Sequence, residues 1–228
     1  MNIDFTALLN DINIKLNEKQ IKQFDIYYKN LVEWNKKINL TAITEENDVY
    51  IKHFYDSIFL SQATSFDSKY MLDIGAGAGF PSIPLKIIFP NLDVTIIDAL
   101  KKRIDFLSIL TKELNLEVTL IHGRAEEHSL KNTYDIVTAR AVANLRMLSE
   151  LCLPFVRKDG FFIAMKGQNF QQELVESKKA LQILKAKLEE KISYKVDDQN
   201  HVILRFKKIA ETPDKYPRRF SKIKSKPL

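Results

Sequence analysis

The apolar positions divide the chain into two parts with different periodicities. Over the first 65 residues they recur at intervals of three and four, as on one face of a helix. These positions are Ile21, Phe24, Tyr28, Leu31 and Trp34. Asn17 precedes them with Gln20 three positions later, the spacing of a capping box at a helix start. A further helix is predicted over 47–62, so residues 1–65 are predicted to be a helical segment without strands.

From residue 70 onward, short apolar runs rich in Val and Ile alternate with longer amphipathic stretches. The runs are too short for helices, and they cover 70–74, 94–97, 118–121, 135–138 and 161–165. Strands alternating with helices indicate right-handed crossovers and a parallel sheet covered on both faces. Two later runs, 194–196 and 202–206, flank the turn-forming residues 197–200. They predict a hairpin at the end of the sheet.

Composition narrows the class of protein. Hydrophobic residues make up 45% of the chain and charged residues 28%, which is typical of a globular protein. No apolar run approaches the roughly 20 residues that cross a bilayer, and the first residues lack the layout of a signal peptide. We therefore expect a cytoplasmic protein. With Cys152 as the only cysteine, and no zinc-site spacing among the histidines, neither a disulfide nor a metal site is expected.

Positive charge is concentrated near the C-terminus. The formal net charge is +6, and residues 205–228 hold nine Lys or Arg side chains against Glu211 and Asp214. A basic run is often only a solubilising surface, but Tyr216 and Phe220 are interleaved with this one. Aromatic rings beside arginines are typical of surfaces that contact nucleic acid. The candidate RNA-binding side chains are Arg218, Arg219, Lys222, Lys224 and Lys226.

A glycine-rich loop, Asp73-Ile-Gly-Ala-Gly-Ala-Gly79, follows the first predicted strand. Parallel sheets bind ligands at the carboxyl ends of their strands. Gly75, Gly77 and Gly79 permit positive φ and let a ligand approach the backbone closely. A helix is predicted to begin near Pro81, and its N-terminus favours an anionic group. The loop therefore indicates a cofactor site, although simple turn formation would also explain the glycines.

Two residues separate the candidate cofactors. The dinucleotide fingerprint G-x-G-x-x-G requires glycine at position 80, where this chain has Phe80. Asp73 would face a pyrophosphate, whereas it can pair with the ammonium group of S-adenosylmethionine. The phosphate-binding motif G-x-x-x-x-G-K-[ST] is absent as well. S-adenosylmethionine is the predicted cofactor.

Each of the next three strands also ends near a polar residue. Asp98 ends the second, where a carboxylate can accept hydrogen bonds from both ribose hydroxyls, although it could instead cap the helix over 101–114. The third leads to Ala125 and Glu126, where loops often hold adenine, and Glu126 could equally cap a helix. The fourth leads to Arg140, at the usual docking position of a methyl acceptor, with a surface ion pair as the alternative.

Together these elements predict an α/β protein with the seven-stranded S-adenosylmethionine methyltransferase fold. This fold is Rossmann-like, with a mostly parallel sheet and one antiparallel strand in a C-terminal hairpin. We expect an N-terminal helical extension over 1–65, the cofactor-binding methyltransferase domain over 66–210 and a basic C-terminal tail over 211–228.

Several motifs resemble those of one family over nearly the whole chain. They are Trp34-Asn35, Asn39-Leu40-Thr41, His53 with Asp56-Ser57, Asp73–Pro84, Lys102-Arg103 with Phe106-Leu107, Arg124-Ala125-Glu126, Arg140-Ala141, Lys166-Gly167 and Tyr216-Pro217-Arg218-Arg219. The chain resembles the bacterial 16S ribosomal RNA guanine-N7 methyltransferases, also called the glucose-inhibited division protein B or ribosomal small subunit methyltransferase G family. The chain departs from the family at Ser82 and Phe220, where the family often has glycine.

The resemblance implies methylation of guanine N7 in the decoding region of 16S ribosomal RNA. It places the cofactor on Gly75, Phe80, Ala125, Glu126 and Arg140. Guanine N7 has a free lone pair and no proton, so the reaction needs positioning and no general base. Arg140 and Lys166 are expected to position the substrate through O6 or phosphate, which leaves N7 free.

The residues after the fourth strand disfavour two other nucleic-acid chemistries. The Asp/Asn-Pro-Pro-aromatic run of exocyclic-amine methyltransferases is missing there. A cytosine-C5 methyltransferase would need a cysteine nucleophile after the fourth or fifth strand. Cys152 lies in an apolar helical stretch, so we expect it to be buried rather than to act as that nucleophile. His53, Asp56 and Ser57 share one helical face, which the resemblance puts near the cofactor. A structural histidine explains His53 equally well, and these three residues are not among the catalytic candidates.

Two other functions stay open at this point. One is a small-molecule S-adenosylmethionine methyltransferase whose basic tail only aids solubility. The other is an RNA-binding protein with a vestigial cofactor pocket. For the leading hypothesis the expected partner is 16S rRNA, in the small ribosomal subunit or in an assembly intermediate. We expect a monomer that binds neither metal nor membrane.

Overall fold

The computed structural model describes residues 3–140 and 143–228. The strands described form one sheet of seven in the order β3-β2-β1-β4-β5-β7-β6. They are β1 (Tyr70–Ile74), β2 (Asp93–Asp98), β3 (Thr119–His122), β4 (Tyr134–Arg140), β5 (Val156–Lys166), β6 (Ala186–Val196) and β7 (Gln199–Lys208). The strands β1 to β5 pair in parallel, and β7 is antiparallel to both β5 and β6. The predicted fold class is confirmed.

Helices cover both faces of this sheet. They are α1 (Ile3–Asp11), α2 (Glu18–Asn35), α3 (Glu46–Val49), α4 (Asp56–Ile58), α5 (Ser82–Ile88), α6 (Lys101–Glu113), α7 (Leu145–Cys152), α8 (Phe170–Ile183) and α9 (Phe220–Ser225). A π-helical turn, Tyr50–Tyr55, joins α3 to α4, and a 3₁₀ turn, Phe59–Gln62, follows α4. The helix predicted over 47–62 is therefore a continuous helical run with local changes of pitch. Of the helices described, none is both long and apolar enough to span a membrane.

The N-terminal helices pack on the sheet through a shared core. The capping box forms, since Asn17 Oδ1 accepts from the Gln20 amide at 2.9 Å and Gln20 Oε1 accepts from the Asn17 amide at 3.0 Å. Gln20 Nε2 also donates to the Ile87 carbonyl of α5 at 2.9 Å. On the same helix, Tyr27 is fully buried, and its hydroxyl donates to the Ala78 carbonyl of the glycine loop at 2.6 Å. The helical segment thus holds the loop in place.

The hairpin is longer than the sequence predicted. β6 begins at Ala186, eight residues before the expected start. Along the added part of the strand, exposed charged residues alternate with half-buried ones. Lys187, Glu189 and Lys191 point to solvent, as is usual on an edge strand. This alternation left no continuous apolar run to recognise.

Candidate active site

The glycine loop joins β1 to α5 in a conformation that its glycines make accessible. Gly75, Gly77 and Gly79 have φ values of +74°, +62° and +100°. A Cβ at Gly79 would lie 2.7 Å from Ile83 Cγ1 and 2.8 Å from the Tyr27 hydroxyl, so this glycine packs against the core. Gly77 faces open space, and only its positive φ requires glycine there.

A cavity of about 460 Å³, here called the loop cavity, lies over this loop at the carboxyl ends of β1, β2 and β3. Of the predicted cofactor residues, those that line it are Gly75, Gly77, Phe80, Asp98, Ala125, Glu126 and Arg140. Gly79 and Asp73 are not on its wall. The structure therefore brings most of the predicted cofactor residues together and sets two of them behind the cavity.

Asp98 fastens the loop to the second strand. Its Oδ2 accepts from the Gly77 amide at 3.2 Å, and its Oδ1 accepts from the Leu100 amide at 2.9 Å. Arg103 Nη1 lies 3.3 Å from Oδ2. The residue preceding α6 is Leu100, and it makes no side-chain cap. Asp98 thus lines the cavity and does not cap α6. Its unused lone pairs can accept hydrogen bonds from a ligand.

Asp73 lies beneath the loop and is fully buried. Its Oδ2 accepts from the Ser82 amide at 3.3 Å, and among the described residues Oδ1 has no hydrogen-bond partner. Burial raises the pKa of Asp73 to about 7, against the opposing effect of the hydrogen bond from Ser82. We expected a direct contact with a cofactor ammonium group. That contact stays a prediction; Asp73 supports the first turn of α5 through the amide of Ser82, whose side chain is fully buried.

Arg140, at the end of β4, is held by two groups from the helical segment. Its Nη2 lies 3.1 Å from His53 Nδ1, and its Nη1 lies 3.5 Å from Asp56 Oδ2. The guanidinium also lies over the Phe80 ring, 4.7 Å from its centroid. Ala141, which follows in the predicted motif, lies outside the described residues. The sequence left open an ion pair of Arg140 at the surface. The ion pair that forms, with Asp56, is largely buried, and 18% of the Arg140 side chain is exposed.

His53 is neutral in this setting. Burial and the neighbouring Arg140 lower the pKa of His53 to about 4. Because an arginine only donates, Nδ1 is the acceptor, and Nε2 carries the proton toward Thr41 Oγ1 at 2.7 Å. Both ring nitrogens are therefore engaged.

Asp56 connects this pair to the C-terminal hairpin. Its Oδ1 accepts from the Tyr194 hydroxyl at 2.7 Å and lies 3.2 Å from His201 Nδ1. Ser57 only donates to the His53 carbonyl within its own helix. Sequence reasoning saw His53 and Asp56 but assigned them no role. It missed Tyr194 and His201, since no local pattern links the hairpin to a helix more than a hundred residues earlier.

A second cavity, of about 510 Å³, adjoins the loop cavity on the other side of Arg140. Its wall includes Lys52, Asp56, Lys166 and His201, and Arg140 and His53 line both cavities. Lys166 Nζ pairs with Glu173 Oε2 at 2.6 Å and donates to the Ala143 carbonyl at 3.2 Å. The predicted pair Arg140 and Lys166 therefore shares the second cavity, with each cation already fixed by an acid.

The predicted basic tail is folded against the domain. Arg218 donates to both carboxylate oxygens of the fully buried Glu150, at 2.7 and 2.6 Å. We expected Arg218 to contact RNA, and this stays a prediction; in the structure its guanidinium is bound to a buried carboxylate, with 17% of the side chain exposed. Arg219, Lys222, Lys224 and Lys226 are exposed. Glu126 does cap a helix, but a distant one, since its Oε1 accepts from the Phe220 amide at the start of α9.

Among the described residues, neither a reactive cysteine nor a metal-binding group adds to the site. Cys152 is buried as expected, and burial raises the pKa of its thiol. Within residues 3–140 and 143–228, no three His, Cys, Asp or Glu side chains are grouped so that they could hold a metal ion.

Several solved structures share this fold. The structure of M. jannaschii TYW2 in complex with AdoMet is 18% identical, with a TM-score of 0.56 over 68% of this chain and 77% of that chain. Precorrin-6y C5,15-methyltransferase from Geobacter metallireducens is 16% identical, with a TM-score of 0.52 over 75% of this chain and 91% of its own. At this identity the likeness concerns the fold. With the glycine loop and Asp98 in place, the chain has the architecture of the Rossmann-like methyltransferases.

Sequence comparison identifies the family. The model of the rRNA small subunit methyltransferase G family matches residues 20–203. Ribosomal RNA small subunit methyltransferase G of Lactococcus lactis subsp. cremoris is 53% identical over 95% of this chain and 94% of its own length. The protein of the same name from Streptococcus pyogenes is 51% identical over 99% of this chain and 98% of its own. The chain belongs to the rRNA small subunit methyltransferase G family.

Proposed function

We propose that this protein transfers the methyl group of S-adenosylmethionine to N7 of a guanine in 16S ribosomal RNA. The observation that carries the proposal is the position of Arg140. Its guanidinium lies on the boundary between two cavities and is fixed by His53 and Asp56. One cavity is suited to a nucleoside cofactor, and the other can receive a base.

The volume and the lining residues of the loop cavity suit S-adenosylmethionine. Its volume of about 460 Å³ lies within the range of small-molecule sites. In this proposal Asp98 accepts from the ribose hydroxyls, and Ala125 and Glu126, which line the same cavity, contact the base. When bound, S-adenosylmethionine supplies an activated methyl group, and the chain's own task is to hold the acceptor in line with it.

The second cavity suits an acceptor that needs no deprotonation. His53 has both ring nitrogens engaged, and Asp56 is held by Arg140, Tyr194 and His201. The His53 ring therefore has no free nitrogen to remove a proton from an acceptor. Guanine N7 requires none, because its lone pair is free at neutral pH. In this proposal Arg140 and Lys166 hold O6 or a phosphate of the substrate, and Asp56 balances the positive charge that forms on the base.

The RNA partner is inferred from the surface charge and the names of the relatives. Arg219, Lys222, Lys224 and Lys226 are exposed and close to one another on the C-terminal segment. Curated relatives at 51% and 53% identity are named ribosomal RNA small subunit methyltransferases. We place the acceptor in the small subunit or its assembly intermediate, and the protein in the cytoplasm as a monomer.

The three segments divide this work. The domain over 66–210 provides most of the wall of the loop cavity, and it provides Arg140. The extension over 1–65 supplies His53 and Asp56, and the tail over 211–228 supplies the exposed cations.

Methylation of purified substrate tests the proposal. The protein is incubated with S-adenosylmethionine and either naked 16S rRNA or small subunits from a strain lacking the gene. Nucleosides are then quantified by mass spectrometry. N7-methylguanosine is the expected product. A different methylated nucleoside, or none with any ribosomal substrate, would refute the assignment, and transfer to small molecules alone would favour that alternative.

A further inference from the structure

The last segment of the chain forms part of the loop cavity. The C-terminal strap, defined here as residues 216–228, places Phe220 on the cavity wall. The Phe220 amide donates to Glu126 Oε1 at 3.1 Å, and its ring lies 5.3 Å from the guanidinium carbon of Arg124. Both partners belong to the loop after β3. Phe220 therefore closes the cavity at the end formed by that loop.

The strap is anchored on either side of Phe220. Before it, Tyr216 is buried in the core and Arg218 is bound to the buried carboxylate of Glu150. After it, Ile223 is fully buried. At the terminus, Arg146 donates to the carbonyl oxygens of Leu228 and Pro227, at 2.7 and 3.0 Å. A segment held at so many points is a fixed wall and not a loose tail.

An aromatic ring at this position has a direct use. The loop after β3 is where we place the base of the cofactor, and purine rings stack on aromatic side chains at a gain of about 1–3 kcal/mol. Leu151 of α7 provides an apolar surface on the same cavity.

We propose that Phe220 is a cofactor-contact residue and that the C-terminal strap is the wall of the loop cavity at its adenosine end. The inference rests on the proposed function for the identity of the ligand. The outer face of the same strap carries the cations that we assign to RNA. One short segment thus serves the cofactor on its inner side and the substrate on its outer side.

Calorimetric titration with S-adenosylhomocysteine tests this inference without any RNA. Phe220→Ala is expected to weaken binding by about tenfold. The matched control is Ser221→Ala, which truncates the next, exposed residue of α9 and is expected to bind like the wild type. Phe220→Trp, which keeps an aromatic ring, is expected to retain most of the affinity. Equal affinities for wild type and Phe220→Ala would overturn the proposal.

Hydrogen exchange on the wild-type protein gives a second readout that does not depend on how a variant folds. Saturation with S-adenosylhomocysteine is expected to slow exchange in peptides covering 216–225 as well as in the glycine loop. Protection of the glycine loop alone would overturn the strap's role and leave the proposed function intact. A wild-type protein that binds no S-adenosylhomocysteine would refute both.

Discussion

Arg140 Nη2 lies 3.1 Å from His53 Nδ1, although the two residues are 87 positions apart in the chain. This contact joins the end of β4 to the helical segment and fixes the guanidinium between the two cavities. Together with burial, it also keeps the histidine neutral, since a protonated Nδ1 would face a permanent cation. A side chain that sequence reasoning left unassigned is therefore a structural partner of the main candidate for substrate positioning.

The first prediction concerns the titration of His53. Its folded pKa of about 4 lies below the ordinary value of 6.5, so the unfolded chain binds the proton more readily. The stability from neutral His53 is fully present above about pH 6.5 and is lost as the pH falls toward 4. Urea unfolding at pH 7 and pH 5 should show a larger loss in the wild type than in His53→Gln. Asp73 is present in both proteins, so it does not contribute to that difference. Identical losses would show that His53 titrates normally.

The second prediction concerns Arg140. Arg140→Ala should lower methyl transfer by about 10²- to 10³-fold, because a fixed donor at the reacting base is removed. Arg140→Lys should recover little, since a lysine cannot contact His53 and Asp56 with a planar fork. Arg157→Ala, which breaks a pair with Asp135 at the other end of the sheet, is the control and should retain activity. Activity of Arg140→Ala near that of the control would remove Arg140 from the site.

The third prediction separates two adjacent arginines. Arg218→Ala leaves the carboxylate of Glu150 buried without its main partner, which should cost about 3 kcal/mol of unfolding free energy. Arg219→Ala removes an exposed cation and should change stability by less than about 0.5 kcal/mol. Chemical denaturation of both variants measures the difference. Equal stabilities would mean that the Arg218–Glu150 pair is not formed in solution.

The fourth prediction concerns the exposed lysines of the strap. Replacing Lys222, Lys224 and Lys226 together by alanine should weaken RNA binding and lower the magnitude of its log–log salt slope by about 2 to 3. The matched control replaces Lys15, Lys19 and Lys22, three exposed lysines at the start of the helical segment. Filter binding across a salt series gives both slopes. The same slope in the two triple variants would show that the strap makes no phosphate contacts.

Local patterns predicted the fold and the cofactor loop, because each depends on neighbouring residues. The strand at 70–74 and the capping box of Asn17 follow from short stretches of sequence, and both are confirmed. Sequence spacing did not show that Asp73 would be buried under the loop, because the direction of a side chain depends on packing. The Phe220 amide meets Glu126 through the way the chain ends fold back. Tertiary contacts of this kind leave no periodic signal.

The most direct test of the central claim is a map of N7-methylguanine in 16S rRNA from cells with and without the gene. One guanine in the small-subunit RNA is expected to carry the mark only when the gene is present. The mark should return with the wild-type gene and not with Arg140→Ala. An unchanged set of N7-methylguanines after deletion would show that this protein does not methylate guanine N7 in 16S rRNA.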